Sequence, residues 1–120
     1  REDLWRMIEM NAIKLTTNIW SGLEAARIRC CVDIMDGLAR DNTLHTYDLV
    51  RDILQGGVIC PNQIAAVQRI ISEEIRRTQN RLDGITDPCP ALRNFLASEI
   101  CMCKAGLDEL DAMTRGGDQS

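Results

Sequence analysis

The chain has 120 residues, 45% of them apolar, and a formal net charge of −4 at pH 7. That is one domain's worth of core, and it is too apolar to stay disordered. The acidic balance lacks the basic footprint that nucleic acid or an anionic membrane surface calls for, so neither is an expected partner. With aromatics at only 3%, the core falls to Leu, Ile, Val, Ala, Met and cysteine.

The first segment carries apolar residues at Leu4, Ile8, Ala12, Leu15, Ile19, Leu23, Ala26, Cys30, Ile34 and Leu38. Steps of three and four keep them on one helical face. Ser21 and Glu24 match a capping box, which would start a new helix there. The phase nevertheless runs through Gly22 unbroken, which favours one long helix, with Asp41-Asn42 as its end. A short helix is expected over 46–55, with Thr46 as its cap and Leu49, Val50, Ile53 and Leu54 as its buried edge. Gly56-Gly57 stops it, because glycine tolerates the left-handed geometry of a helix end. Val58 and Ile59 read as a buried connector.

Cys60-Pro61 opens the next helix, since proline suits a first turn. Ile64, Val67, Ile70, Ile71, Ile75 and Leu82 form its stripe, and Gly84 closes it. After the turn at Asp87-Pro88-Cys89-Pro90, a last helix carries Leu92, Phe95, Leu96, Ile100, Cys103, Leu107 and Leu110, with a loosening expected at Gly106. The expected fold is all-α: a disulfide-stapled bundle of four helices, or five if the first breaks. It forms a single domain over 1–115 with a mobile tail at 116–120. The core should centre on Leu15, Ile19, Leu23, Ile71, Ile75, Leu96 and Ile100.

Six cysteines stand at Cys30, Cys31, Cys60, Cys89, Cys101 and Cys103, beside a single histidine, His45. An even count in a short chain points to three disulfides and an oxidising, extracellular compartment. Structural zinc uses Cys-x2-4-Cys pairs or supporting histidines, and neither Cys30-Cys31 nor Cys101-Met102-Cys103 has that spacing, so no metal is expected. Adjacent cysteines on a helix point about 100° apart. Each close pair should therefore reach two different neighbours, with the connectivity left open. The chain opens at Arg1 without a hydrophobic leader, and the expectation is a secreted chain whose signal peptide has been removed. No apolar run is long enough to span a membrane.

No catalytic constellation emerges. His45 has no evident nucleophile or acid beside it. Small secreted phospholipases A2 follow a double cysteine with His-Asp, whereas Cys30-Cys31 continues into Val32-Asp33-Ile34-Met35. Glycine-rich nucleotide loops and EF-hand loops are also missing. Glu73, Glu74, Asp108, Glu109 and Asp111 read as solvated helix faces, with Glu73 and Arg77 as an i,i+4 pair. The Cys101-Met102-Cys103 run resembles the Cys-Tyr-Cys signature of the bicycle effectors secreted by gall-forming aphids. The similarity covers three residues and assigns no family.

Met10, Ile13, Ile28 and Met35 fall opposite the main stripe of the first helix. They form a candidate interaction face if that helix lies at the edge of the bundle, and core if it is central. The expected function is a secreted, effector- or cytokine-like protein that binds another protein or associates with itself, without enzymatic activity or cofactor. The alternative is a carrier holding a small apolar ligand between helices.

Overall fold

The computed structural model describes residues 12–86 and 89–118, with side chains described up to Thr114. It is mostly helical. The described elements are a short strand β1 (Ile13–Lys14), helix α1 (Thr17–Met35), helix α2 (Asp41–Gly56), strand β2 (Val58–Ile59), a 3-10 turn (Pro61–Gln63), helix α3 (Ile64–Asp83) and helix α4 (Pro90–Asp118).

α1 starts later than the apolar phase implies. Ile13 and Lys14 are extended and pair antiparallel with Ile59 and Val58. The Leu15 N–H also donates to the Gly57 carbonyl at 3.2 Å. These bonds draw Ile13, Lys14 and Leu15 onto the α2–α3 connection, so the expected helix does not run through them into α1; its part before residue 12 lies outside the described residues. Thr16 then caps α1, its Oγ1 accepting from the Ile19 N–H at 3.1 Å. Continuity across Ser21-Gly22 holds, and α1 runs to Met35. Gly37, at φ 73°, makes the left-handed turn that ends it.

Asp41-Asn42 begins α2 rather than ending α1. The Arg40 N–H donates to Thr43 Oγ1 at 3.2 Å, so the cap lies six residues ahead of the expected Thr46. Gly57 closes α2 at φ 76°. Val58 and Ile59 are the buried link foreseen, though as a strand. Cys60 caps the next turn, its N–H donating to Gln63 Oε1 at 2.9 Å, with Pro61 at its first position. α3 ends before Gly84. α4 continues to Asp118.

α1 is the central helix and packs against α2, α3 and α4. The α3–α4 pair is antiparallel, joined where Gln68 Nε2 donates to Asp111 Oδ1 at 2.8 Å. Ile19, Leu23, Val50, Ile53, Ile59, Val67, Ile71, Leu96 and Leu110 are essentially inaccessible to solvent. Burying such a side chain contributes about 1.5–3 kcal/mol relative to leaving it exposed. Five of the seven expected core residues lie in this interior, and Leu15 and Ile75 pack at its margin.

Gly106 tightens the bundle rather than loosening it. A Cβ there would stand 2.8 Å from the Asn18 carbonyl oxygen and 3.0 Å from the Ile19 nitrogen. Only glycine lets the α1 and α4 backbones approach so closely. A polar clamp sits beside this contact. Glu109 accepts from Thr16 Oγ1 and, at 2.9 Å, from Asn18 Nδ2. Those two bonds hold its carboxyl below the usual carboxylate range. Glu109 is therefore a structural tie rather than the solvated acid expected.

All six cysteines are free thiols, with no pair at bonding distance. The bundle therefore differs from the disulfide-stapled form expected. Cys30 and Cys103 are buried on α1 and α4, whereas Cys89 and Cys101 face solvent. Burial raises the Cys30 thiol against the pull of Arg29. It pushes Cys103 up to about 11, with Glu74 and Glu99 adding to the effect. Thiols in such surroundings pack as small apolar groups and are chemically inert.

Candidate functional site

The expected interaction face is dispersed. Met10 lies outside the described residues. Ile13 is half-buried in β1, on an element separate from Ile28 and Met35. Ile28 and Met35 lie on the outward face of α1, 51% and 83% exposed. Central packing of α1 and exposure of its far face thus occur together, because α2, α3 and α4 cover only part of its circumference.

Val32 completes a stripe with Ile28 and Met35 at i, i+4, i+7 spacing and is itself exposed. Ile28 and Val32 border a cleft of about 210 Å³ between α1, α3 and α4, with Arg29, Glu74, Arg77, Thr78, Arg81 and Glu99. Phe95, 60% exposed, and Met102, also exposed, flank Glu99 on one face of α4. The cleft therefore has one apolar edge on α1, and exposed apolar residues lie one turn either side of Glu99, its lining residue on α4.

A part-buried ion pair lines the cleft. Arg29 Nε donates to Glu74 Oε2 at 2.7 Å, and its Nη1 lies 3.3 Å from Asp33 Oδ2. Glu74 is buried, contrary to the solvated reading. Its position offered the signal that was missed. Val67, Ile71, Glu74 and Thr78 share one face of α3, and an acid on an apolar stripe needs an interior cation. Neighbouring Glu73 does face outward, paired with Arg76 and, as expected, with Arg77 at 3.3 Å. Burial raises the Glu99 carboxyl above its ordinary value. Glu74 reinforces this and Arg81 opposes it.

A second, larger groove of about 810 Å³ opens between α1, the start of α2 and α3. Arg29, Arg40, Arg69 and Arg77 line it with Asp33 and Glu73, while Cys30, Leu38 and Ile70 supply apolar wall. His45 is exposed on α2. Among the described residues, no group of three or more His, Cys, Asp or Glu side chains is placed to hold a metal ion. No helix among them is long and apolar enough to cross a membrane.

No family model, curated protein or solved structure matches the chain.

Proposed function

We propose that the protein acts by binding another protein through the exposed apolar residues at the α1–α3–α4 cleft. The observation that carries this reading is the exposed α1 stripe Ile28, Val32 and Met35, whose first two members line the cleft with Glu99, while Phe95 and Met102 are exposed one turn either side of Glu99 on α4. Isolated exposed apolar residues are ordinary, but a contiguous set beside a cleft marks an interaction surface. Methionine at its edges suits adaptable packing. Arg77 and Arg81 border the same cleft from α3. The partner that fits is a segment with an apolar face and an acidic flank. The reading is non-catalytic, and His45→Ala leaves binding intact. Extracellular placement, with an effector- or cytokine-like role, rests on the even cysteine count and draws no support from disulfides, since no two cysteines lie at bonding distance.

The carrier alternative gains no comparable support. The larger groove is open and arginine-lined, and the smaller cleft falls below the ~300 Å³ at which small-molecule pockets begin.

The test compares proteins retained by wild type, Val32→Asp, Phe95→Asp and the control Thr17→Asp, alongside thermal melting of each. Both patch variants should lose one partner by about tenfold or more while melting normally, because core contacts dominate interface energies. The control should keep it. Sedimentation separates a second copy of this chain from a different protein. Equal retention by all four, or collapse of the melting temperature in the patch variants, would remove this surface as the binding site.

A further inference from the structure

We propose that the groove between α1, α2 and α3 binds a small organic anion carrying two or more phosphoryl or sulfate groups. The site lies on the α2 side of α1; it shares Arg29 and Arg77 with the cleft near α4, but Arg40 and Arg69 belong to this groove alone.

The argument begins with charge. The chain is net acidic, yet four guanidinium groups line this one groove. Its two lining carboxylates are already engaged, Asp33 with Arg29 and Glu73 with Arg76 and Arg77. Arg40 and Arg69 have no carboxylate within ion-pair distance among the described residues. Both are exposed. Like charges gathered at a concave surface repel one another and focus the field, and an anion relieves both effects.

The contributing residues come from three separate elements. Arg29 is on α1, Arg40 precedes α2, and Arg69 and Arg77 are on α3. Guanidinium groups are planar forks that match the tetrahedral oxygens of phosphate or sulfate with paired hydrogen bonds. Asn42, Thr43 and Thr46 add neutral polar groups from the first turns of α2. That end of the helix carries the positive pole of its dipole, which adds to the arginines' field. Leu38 and Ile70 give the groove an apolar wall, so the ligand has a carbon framework as well as charge. A volume of about 810 Å³ suits a small molecule rather than a lone ion. Arg40 and Arg69 reach the one groove from different elements, so a ligand with two anionic groups matches both.

The probe is pyrophosphate, titrated into the full chain at constant ionic strength and followed by amide chemical shifts. Inorganic phosphate and sodium chloride serve as comparisons. Saturable shifts are expected at residues 40–46 and around Arg69, with pyrophosphate binding about tenfold tighter than phosphate because both arginines are used. Arg40→Gln and Arg69→Gln should each weaken pyrophosphate about tenfold, since each removes one charge-assisted contact, without lowering the melting temperature. Thr17→Asp should leave it unchanged. Shifts that match those from sodium chloride, pyrophosphate no tighter than phosphate, or unchanged affinity in both arginine variants would each overturn the proposal. Because the readout is the groove's own amides, loss of protein binding at the other face does not affect the outcome.

Discussion

Gly106 and Gly22 are both buried glycines within helices, and alanine at each should have opposite effects. At Gly106 the added Cβ meets the Asn18 carbonyl oxygen at 2.8 Å and carbon at 2.9 Å, where ordinary contact begins at 3.4 Å. These are backbone atoms, so α1 and α4 must part by about half an ångström, which forfeits a quarter or more of the dispersion across the gap. Overpacking of this kind costs about 2 kcal/mol, and loosening the Glu109 bonds to Thr16 and Asn18 adds about 1 kcal/mol. Alanine's better helix propensity returns about 1 kcal/mol. The net is a loss of about 2 kcal/mol, or roughly 8 °C in melting temperature for a domain of this size. At Gly22 the new Cβ meets only the Ile71 side chain, at 3.6 Å or more. Propensity then dominates, and Gly22→Ala should gain about 0.5–1 kcal/mol, or roughly 2–4 °C. Urea and thermal melts of the two variants decide the matter. A Gly106→Ala protein as stable as wild type, or two glycines that behave alike, would refute the close approach of α1 and α4.

Alkylation of the native protein at pH 8 should modify Cys89 and Cys101 first and leave Cys30 and Cys103 until unfolding, because the first two are exposed whereas burial both shields Cys30 and Cys103 and raises their thiols. Equal labelling of Cys103 and Cys101 in the folded chain would contradict the burial of Cys103; mass spectrometry after digestion reads each site. Glu99 carries a carboxyl raised by burial and by Glu74, so the folded chain holds that proton more tightly than the unfolded chain. Its favourable contribution is present below the ordinary carboxylate range and is lost as pH rises through its folded value. Glu99→Gln should therefore be more stable than wild type at pH 7, with the advantage shrinking towards pH 4. Urea midpoints across that range test this, and an unchanged difference would show that Glu99 is well solvated.

Periodicity, proline and glycine were enough to place the body of each helix and most of the core, because these signals are local. Apolar steps of three and four mark Ile19, Leu23, Ile71, Leu96 and Ile100 as interior whatever the neighbours are. Gly57 and Pro61 punctuate the chain through their own backbone preferences. The start of α1 was not legible in this way. Ile13 continues the helical phase, and only its pairing with Ile59, far along the chain, makes it a strand. The start of α2 depends on a bond between Arg40 and Thr43 that competes with an equally plausible cap at Thr46.

The cysteines show the same division. Their number is a property of the sequence, but whether two sulfurs meet depends on how helices rotate against one another. Here the rotation puts Cys30 and Cys103 inside and Cys89 and Cys101 outside. Gly106 looked like a weak point until α1 came to lie across it. Arg29, Arg40, Arg69 and Arg77 are scattered through an acidic sequence and become one groove only when three elements converge. Local preference set what each segment is, and long-range packing set which segments, and which charges, face each other.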